Sequence, residues 1–182
     1  AQQICESDWS QQLTANWSVL SPIESKSTGG ATLRKLEDAT LLVEGNNSTQ
    51  DTYELVAHTD AQNIVALRLE ALTHEGLPNS GPGRSPNANF VLSEIEVEAA
   101  PLSDPEQVRP LQFASAVADY SQPTYDVAQA IDGQVGPTNG WAVAGHERHA
   151  NGTAVFYLAE PLTMPSGAQL KIRLRHESQF AQ

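Results

Sequence analysis

The chain has 182 residues, with 10 basic and 22 acidic side chains and a formal net charge of −12. This length suits one domain of ordinary size, and the acidic balance argues against a nucleic-acid partner or an anionic membrane surface. No apolar run is long enough for a membrane span. The single cysteine, Cys5, excludes an internal disulfide framework, a cysteine-rich zinc site and a C-x-x-C-H haem site.

The first 15 residues are mostly polar, and we interpret residues 1–15 as an N-terminal extension. The large apolar side chains among them are Ile4, Trp9 and Leu13. Residues 16–182 are predicted to form a single domain. It opens with a strand pair over residues 31–36 and 39–44, whose turn lies at Glu37-Asp38.

Apolar and polar residues then alternate with a period of two, which is typical of β-strands. The predicted strands cover residues 51–57, 63–72, 90–98, 154–158 and 169–176. Turn signals such as Gly29-Gly30 and Asp132-Gly133 separate them at the spacing of an all-β sandwich. One short helical turn is predicted at residues 127–131. The proline-rich residues 101–110 indicate a linker-like crossover between strands.

In two of the predicted strands, the alternation indicates which side chains share a face of the sheet. On one face of the strand over residues 90–98 we expect Phe90, Leu92, Glu94, Glu96 and Glu98. On the other we expect Val91, Ile95 and Val97. In the last strand, Leu170, Ile172 and Leu174 are expected to point inward, and Lys171, Arg173 and Arg175 outward.

Several motifs resemble a module of large secreted planctomycete proteins that also carry cytochrome-c-like domains. The most specific match runs from Gly81-Pro-Gly-Arg to Phe90-Val-Leu-Ser-Glu, and Ala130-Ile-Asp-Gly and Gly140-Trp-Ala continue it. This chain lacks the family's haem motif, so no haem and no electron-transfer role are expected. The family pattern continues past the last strand, so we expect an open sheet edge after Arg175.

The second half also resembles the start of a discoidin-type, galactose-binding-like domain, and the first half resembles the end of one. The motifs involved are Ala114-Ser-Ala, Ala128-Gln-Ala-Ile-Asp-Gly and Gly140-Trp-Ala in the second half, and Leu92-Ser-Glu-Ile-Glu-Val in the first. This resemblance implies an all-β sandwich of the jelly-roll type, and the order of the halves suggests a circular permutation.

The discoidin resemblance also implies a structural calcium ion. Asp132 and Glu94 would supply carboxylates, and the loop over residues 133–140, with Thr138 and Asn139, would supply further oxygens. Calcium binds six to eight oxygen ligands, many of them from the backbone. The alternative is that Asp132-Gly133 is only a turn and Glu94 only an exposed strand residue.

Two further groups are candidates for ligand binding. Arg84, Asn87 and Asn89 carry donors suited to sugar hydroxyls or an acidic glycan, although Arg84 also suits a loop anchor that bonds carbonyl groups. Tyr120 and Tyr125 flank a Ser-Gln-Pro-Thr loop, where an aromatic ring can stack on a sugar. Core packing is the alternative for each aromatic residue.

No nucleophile motif is present, and no zinc ligand set is evident around His146 and His149. We therefore expect no enzymatic activity. The expected function is an extracellular, periplasmic or cell-surface module that binds a polysaccharide or other glycan weakly. The alternative is an assembly module that contacts neighbouring domains or its own copies through an open sheet edge.

Overall fold

The computed structural model describes residues 16–178. The predicted N-terminal extension, residues 1–15, lies outside the described residues. The strands are β1 (Pro22–Ser27), β2 (Ala31–Lys35), β3 (Leu41–Gly45), β4 (Asp51–Thr59), β5 (Ile64–Ala71), β6 (Glu94–Pro101), β7 (Arg109–Pro110), β8 (Phe113–Ala118), β9 (Gly152–Leu162) and β10 (Ala168–His176). Two 3₁₀ turns lie at Pro78–Ser80 and Val127–Ile131, and one turn of α-helix, α1, at Gly145–Arg148. The predicted all-β architecture is confirmed.

The strands form antiparallel sheets that pack as a sandwich. One sheet has five strands in the order β1-β4-β10-β6-β7, a second has three in the order β5-β9-β8, and β2 and β3 form a hairpin. β10 pairs along its length with β4 on one side and β6 on the other. The predicted open edge after Arg175 is therefore wrong: this strand lies in the middle of its sheet, and its hydrogen-bonding groups are already paired.

The proline-rich stretch after β6 does not lead away from the sheet. β6 ends at Pro101, the chain turns, and β7 pairs back with Glu98 and Ala99. Three prolines suit this exposed turn because they carry no N–H group to leave unpaired.

The core contains residues from both sheets and from the loops between them. Its larger buried cluster comprises Phe90, Leu92, Ile95, Val97, Val127, Ala130, Trp141, Val143, Ala154 and Phe156. Phe90 and Leu92 thus pack in the same cluster as Ile95 and Val97, which contradicts the predicted assignment of faces. Leu92 forms an isolated bridge with Trp141 before β6 begins at Glu94, so regular strand alternation starts only there.

The outer face of the five-stranded sheet carries ion pairs. As predicted, the basic side chains of β10 point away from the core, and Arg173 lies 3.1 Å from Glu98 while Arg175 lies 2.8 Å from Glu96. Lys26 of β1 pairs with Glu54 of β4 at 2.9 Å, and its hydrogen bond lowers the pKa of that carboxyl. This face is therefore polar, and the apolar side chains of β10 pack inward.

Candidate functional site

The loop that follows the second 3₁₀ turn is organised by Asp132. Its Oδ1 accepts hydrogen bonds from the Gln134 amide at 2.8 Å and from Asn139 Nδ2 at 3.1 Å. Gly133 has φ +73°, in the left-handed region that a residue without Cβ adopts at low cost. The Asp-Gly pair therefore makes the predicted tight turn and also fixes the far end of the loop.

Three oxygens of this loop converge on one atom. Asn139 Nδ2 donates to the Gln134 carbonyl at 2.7 Å, to Asp132 Oδ1 at 3.1 Å and to the Gln129 carbonyl at 3.3 Å. The Asn139 nitrogen occupies the point where these oxygens converge, so a hard cation would bind them only after this side chain moved away.

Glu94, the first residue of β6, lies beside this loop. Its side chain is bonded to the Gly133 amide, yet Oε2 is buried without a hydrogen-bond partner among the described residues. Burial raises the pKa of Glu94 to about 7, and the charges of Asp132 and Glu96 act in the same direction, against the Gly133 bond and Arg175. The charge of Asp132 thus acts on Glu94, and the role of the two residues as calcium ligands stays a prediction.

The remaining predicted metal ligand, Thr138, is exposed in the same loop. Within residues 16–178 there is no group of three or more His, Cys, Asp or Glu side chains that could hold a metal ion. A calcium site with two carboxylates and several carbonyl and amide oxygens does not depend on such a group. The orphaned oxygen of Glu94 fits calcium, whereas the loop oxygens already accept hydrogen bonds from Asn139. The Gln134 carbonyl lies in the loop expected to supply oxygens, whereas the Gln129 carbonyl could not be found from the sequence, because backbone oxygens have no residue signature.

Arg84 is buried and bonded inside the protein. Its guanidinium donates to the Gly45 carbonyl at 3.2 Å, to the Asn46 carbonyl at 2.6 Å and to the Tyr53 hydroxyl at 3.3 Å. Arg84 thus connects the loop that follows the 3₁₀ turn at Pro78–Ser80 to the end of β3 and to β4. These bonds support the anchoring interpretation rather than ligand binding.

The neighbouring glycine allows this loop to close tightly. A Cβ on Gly83 would lie 2.0 Å from the Asn89 carbonyl oxygen, so no side chain fits there. Asn89 is itself buried: its Nδ2 donates to Gln122 at 2.8 Å and its Oδ1 accepts from the Gly145 amide at 3.1 Å. Asn87 is exposed, and its Oδ1 accepts from the Asn89 amide at 3.2 Å. Asn89 therefore joins three loops, and Asn87 lies at their surface.

Both predicted tyrosines are half-buried in the loop that contains Gln122. The Arg148 guanidinium lies 4.3 Å from the centre of the Tyr120 ring and covers one of its faces. The Tyr120 carbonyl accepts from Trp141 Nε1 at 2.9 Å. Arg148 was not a candidate from the sequence, because 28 positions separate it from Tyr120 and only the fold brings them together.

A second buried polar group was also missed by the sequence. Asp51 and His176 pair across β4 and β10, and both are at most 8% exposed. His176 Nδ1 lies 2.9 Å from the Val91 carbonyl, and its ring centre lies 4.8 Å from that of Tyr53. Burial lowers the pKa of His176 to about 4, with Arg84 acting in the same direction and the Val91 carbonyl and Asp51 opposing it.

This histidine makes the stability of the fold pH-dependent. In the unfolded chain His176 takes up a proton below its ordinary pKa of 6.5, whereas the folded chain resists it down to about 4. Stability from this group is therefore full above pH 6.5 and is lost as the pH falls towards 4, by up to about 3 kcal/mol. Urea unfolding of the wild type and of His176→Gln at pH 7 and pH 4.5 measures it. The loss of unfolding free energy between pH 7 and pH 4.5 should be smaller in His176→Gln than in the wild type. An equal loss in both proteins would contradict the lowered pKa of His176.

Comparison of the chain with protein-family models, with curated proteins and with solved structures gave no match. Over residues 16–178, none of the helices has the length and apolar character needed to cross a membrane.

Proposed function

We propose that the chain is a non-catalytic, extracellular carbohydrate-binding-like module, a jelly-roll sandwich of the galactose-binding type with a structural calcium ion. The single observation that carries the proposal is the position of Glu94. Its buried, unpartnered oxygen lies beside the loop that Asp132 organises. An unpaired buried carboxylate oxygen is costly unless a cation or a donor satisfies it.

In this proposal, the calcium ion would be held by the carboxylates of Glu94 and Asp132 and by loop carbonyls that Asn139 Nδ2 releases when the ion binds. Its two positive charges would offset the mutual repulsion of the two carboxylates. The ion would then join the start of β6 to the loop that leads into Trp141. Its role is structural, because it fixes the loop between two core elements.

The surface proposed to bind the glycan lies where three loops meet, around Asn89. The hydrogen bonds of Asn89 to Gln122 and to the Gly145 amide hold these loops together. Tyr125 and Asn87 are on the same loops, and Arg148 adds guanidinium donors above Tyr120. A rigid base that presents an aromatic ring and polar donors is suited to shallow, weak sugar recognition.

Glycan binding is tested by affinity electrophoresis against a panel of neutral and acidic polysaccharides, followed by calorimetry on any that retard the protein. Tyr125→Ala should weaken binding about two- to tenfold, because one stacking contact contributes about 0.5–1.5 kcal/mol. Tyr125→Phe is the matched control and should retain most of the affinity, since it keeps the ring. Absence of retardation by every polysaccharide, or equal affinity of the Ala variant, would contradict the proposal.

The alternative proposal, an assembly module, is supported by the exposed edge strand β1. Ile23 of this strand is 56% exposed and Val19 just before it is 78% exposed. Sheet edges with apolar side chains can add a strand from another chain. A mass that rises with protein concentration in light scattering, without any response to glycans, would favour this function over carbohydrate binding.

A further inference from the structure

Arg148, the last residue of α1, has an unusual set of electrostatic partners for an arginine of this protein. Four arginines form ion pairs with glutamates: Arg34, Arg68, Arg173 and Arg175. Arg84 donates to carbonyl and hydroxyl oxygens instead. Arg148 forms no ion pair with any carboxylate of residues 16–178. In this part of the chain, its positive charge is therefore not compensated by an acidic side chain in direct contact.

The hydrogen-bonding groups of Arg148 are also incompletely used. Its Nη1 is buried without an acceptor among the described residues. The guanidinium lies over the Tyr120 ring, 4.3 Å from its centre, and this contact uses none of the N–H groups, because they point outward in the plane of the guanidinium. The side chain is half-buried, so its charge is partly desolvated. A partly desolvated cation with an unpartnered donor is stabilised by an anionic acceptor.

The position of Arg148 is fixed by two hydrogen bonds of its surroundings. α1 begins at Gly145, whose amide donates to Asn89 Oδ1 at 3.1 Å. The ring that the guanidinium covers belongs to Tyr120, whose carbonyl accepts from Trp141 Nε1 at 2.9 Å. Because α1 is bonded to Asn89, Arg148 lies at the same surface that is proposed to bind the glycan. A cation that is already held in place loses little side-chain freedom when a ligand binds it.

We propose that this surface binds acidic sugars, and that the carboxylate of a uronic acid accepts two parallel hydrogen bonds from the Arg148 guanidinium. A carboxylate is planar and matches the guanidinium fork, so the pairing gives orientation as well as charge compensation. The inference rests on the proposed carbohydrate-binding function and specifies its substrate class. Because the chain has a net charge of −12, it repels a long run of carboxylates, and the expected ligand is an isolated uronic acid between neutral sugars.

Matched pairs of ligands test this preference. Calorimetry compares oligosaccharides from glucuronoxylan and from hyaluronan with the same oligosaccharides after methyl esterification of their carboxylates. The wild type should bind the acid form of at least one of them about tenfold more tightly than its ester, as expected for a hydrogen-bonded pair of charges. In Arg148→Ala the acid and the ester should bind about equally. Arg148→Lys should show an intermediate preference, since lysine keeps the charge but not the planar fork.

Arg109→Ala is the control, because it removes the same charge from an exposed position on β7 and should keep the wild-type preference for the acid form. Equal binding of acid and ester by the wild type, or binding of neutral saccharides alone, would overturn the inference and leave carbohydrate binding intact. A preference that persists in Arg148→Ala would also overturn it, since a loss shared by both forms reports only a structural role. Absence of binding to every saccharide, acidic or neutral, would contradict the proposed function itself and this inference with it.

Discussion

Replacing Arg84 with alanine is expected to lower the free energy of unfolding by about 4 kcal/mol. The substitution removes three charge-assisted hydrogen bonds and leaves the Gly45 and Asn46 carbonyls and the Tyr53 hydroxyl without this donor. Urea unfolding at pH 7 measures the loss. Arg84→Lys should recover only part of it, since one ammonium group cannot reproduce the planar fork.

The control for the Arg84 substitution is Arg109→Ala, which removes the same charge from an exposed position on β7. We expect it to change stability by less than about 0.5 kcal/mol. An unchanged unfolding midpoint for Arg84→Ala, combined with loss of polysaccharide binding, would contradict the anchoring role and return this arginine to the ligand site.

Trp141→Ala is also expected to lower the free energy of unfolding by about 4 kcal/mol. The indole is 0% exposed, packs edge-on against Phe90 with ring centres 5.3 Å apart, and donates to the Tyr120 carbonyl. The substitution creates a cavity and removes the bond that holds the Tyr120 loop. Trp141→Phe separates the two effects, since it keeps most of the packing and loses the hydrogen bond.

Chemical unfolding gives the stability of both Trp141 variants. The Phe variant should lose clearly less than the Ala variant. A loss below about 1 kcal/mol for Trp141→Ala would mean that the indole is not part of the core.

The strand pattern was largely predictable because period-two alternation depends on local sequence alone. The predicted strand over residues 169–176 differs by one residue from β10, and the helical turn at residues 127–131 matches the 3₁₀ turn there. The hairpin of β2 and β3 was also predicted. In each of these segments, the turn residues and the burial pattern indicate the same structure.

The errors came from tertiary pairing. Alternation placed Phe90 and Leu92 with Glu94, but the bridge between Leu92 and Trp141 interrupts the strand and resets the pattern. The central position of β10 could not be predicted from its own residues, because its paired residues in β4 and β6 lie at least 67 positions upstream. Strand order depends on such distant contacts.

In the candidate site, too, the features set by local sequence were predicted and those that depend on distant contacts were not. The turn at Asp132-Gly133 was predicted from its turn residues and is present, whereas the calcium ligands implied by the resemblance stay a prediction. The buried pair of Asp51 and His176 was not predicted, because 125 positions separate them and neither stands in a recognisable motif. Their roles depend entirely on the register of β4 against β10.

Thermal unfolding in calcium and in chelator tests the proposed site most directly. At a hundredfold excess of calcium over Kd, binding to the folded state stabilises it by about 2.7 kcal/mol, a rise of about 5–10 °C for a domain of this size. Glu94→Gln and Asp132→Ala should each abolish most of this rise. Glu160→Gln, which alters an exposed carboxylate on β9, should keep it.

We predict a calcium-dependent midpoint in the wild type and in the Glu160 variant, and a calcium-independent one in the Glu94 and Asp132 variants. An equal midpoint in saturating calcium and in chelator for the wild type would contradict the calcium-stabilised site. A calcium-dependent rise that persists unchanged in both Glu94 and Asp132 variants would contradict it as well, by placing the ion elsewhere.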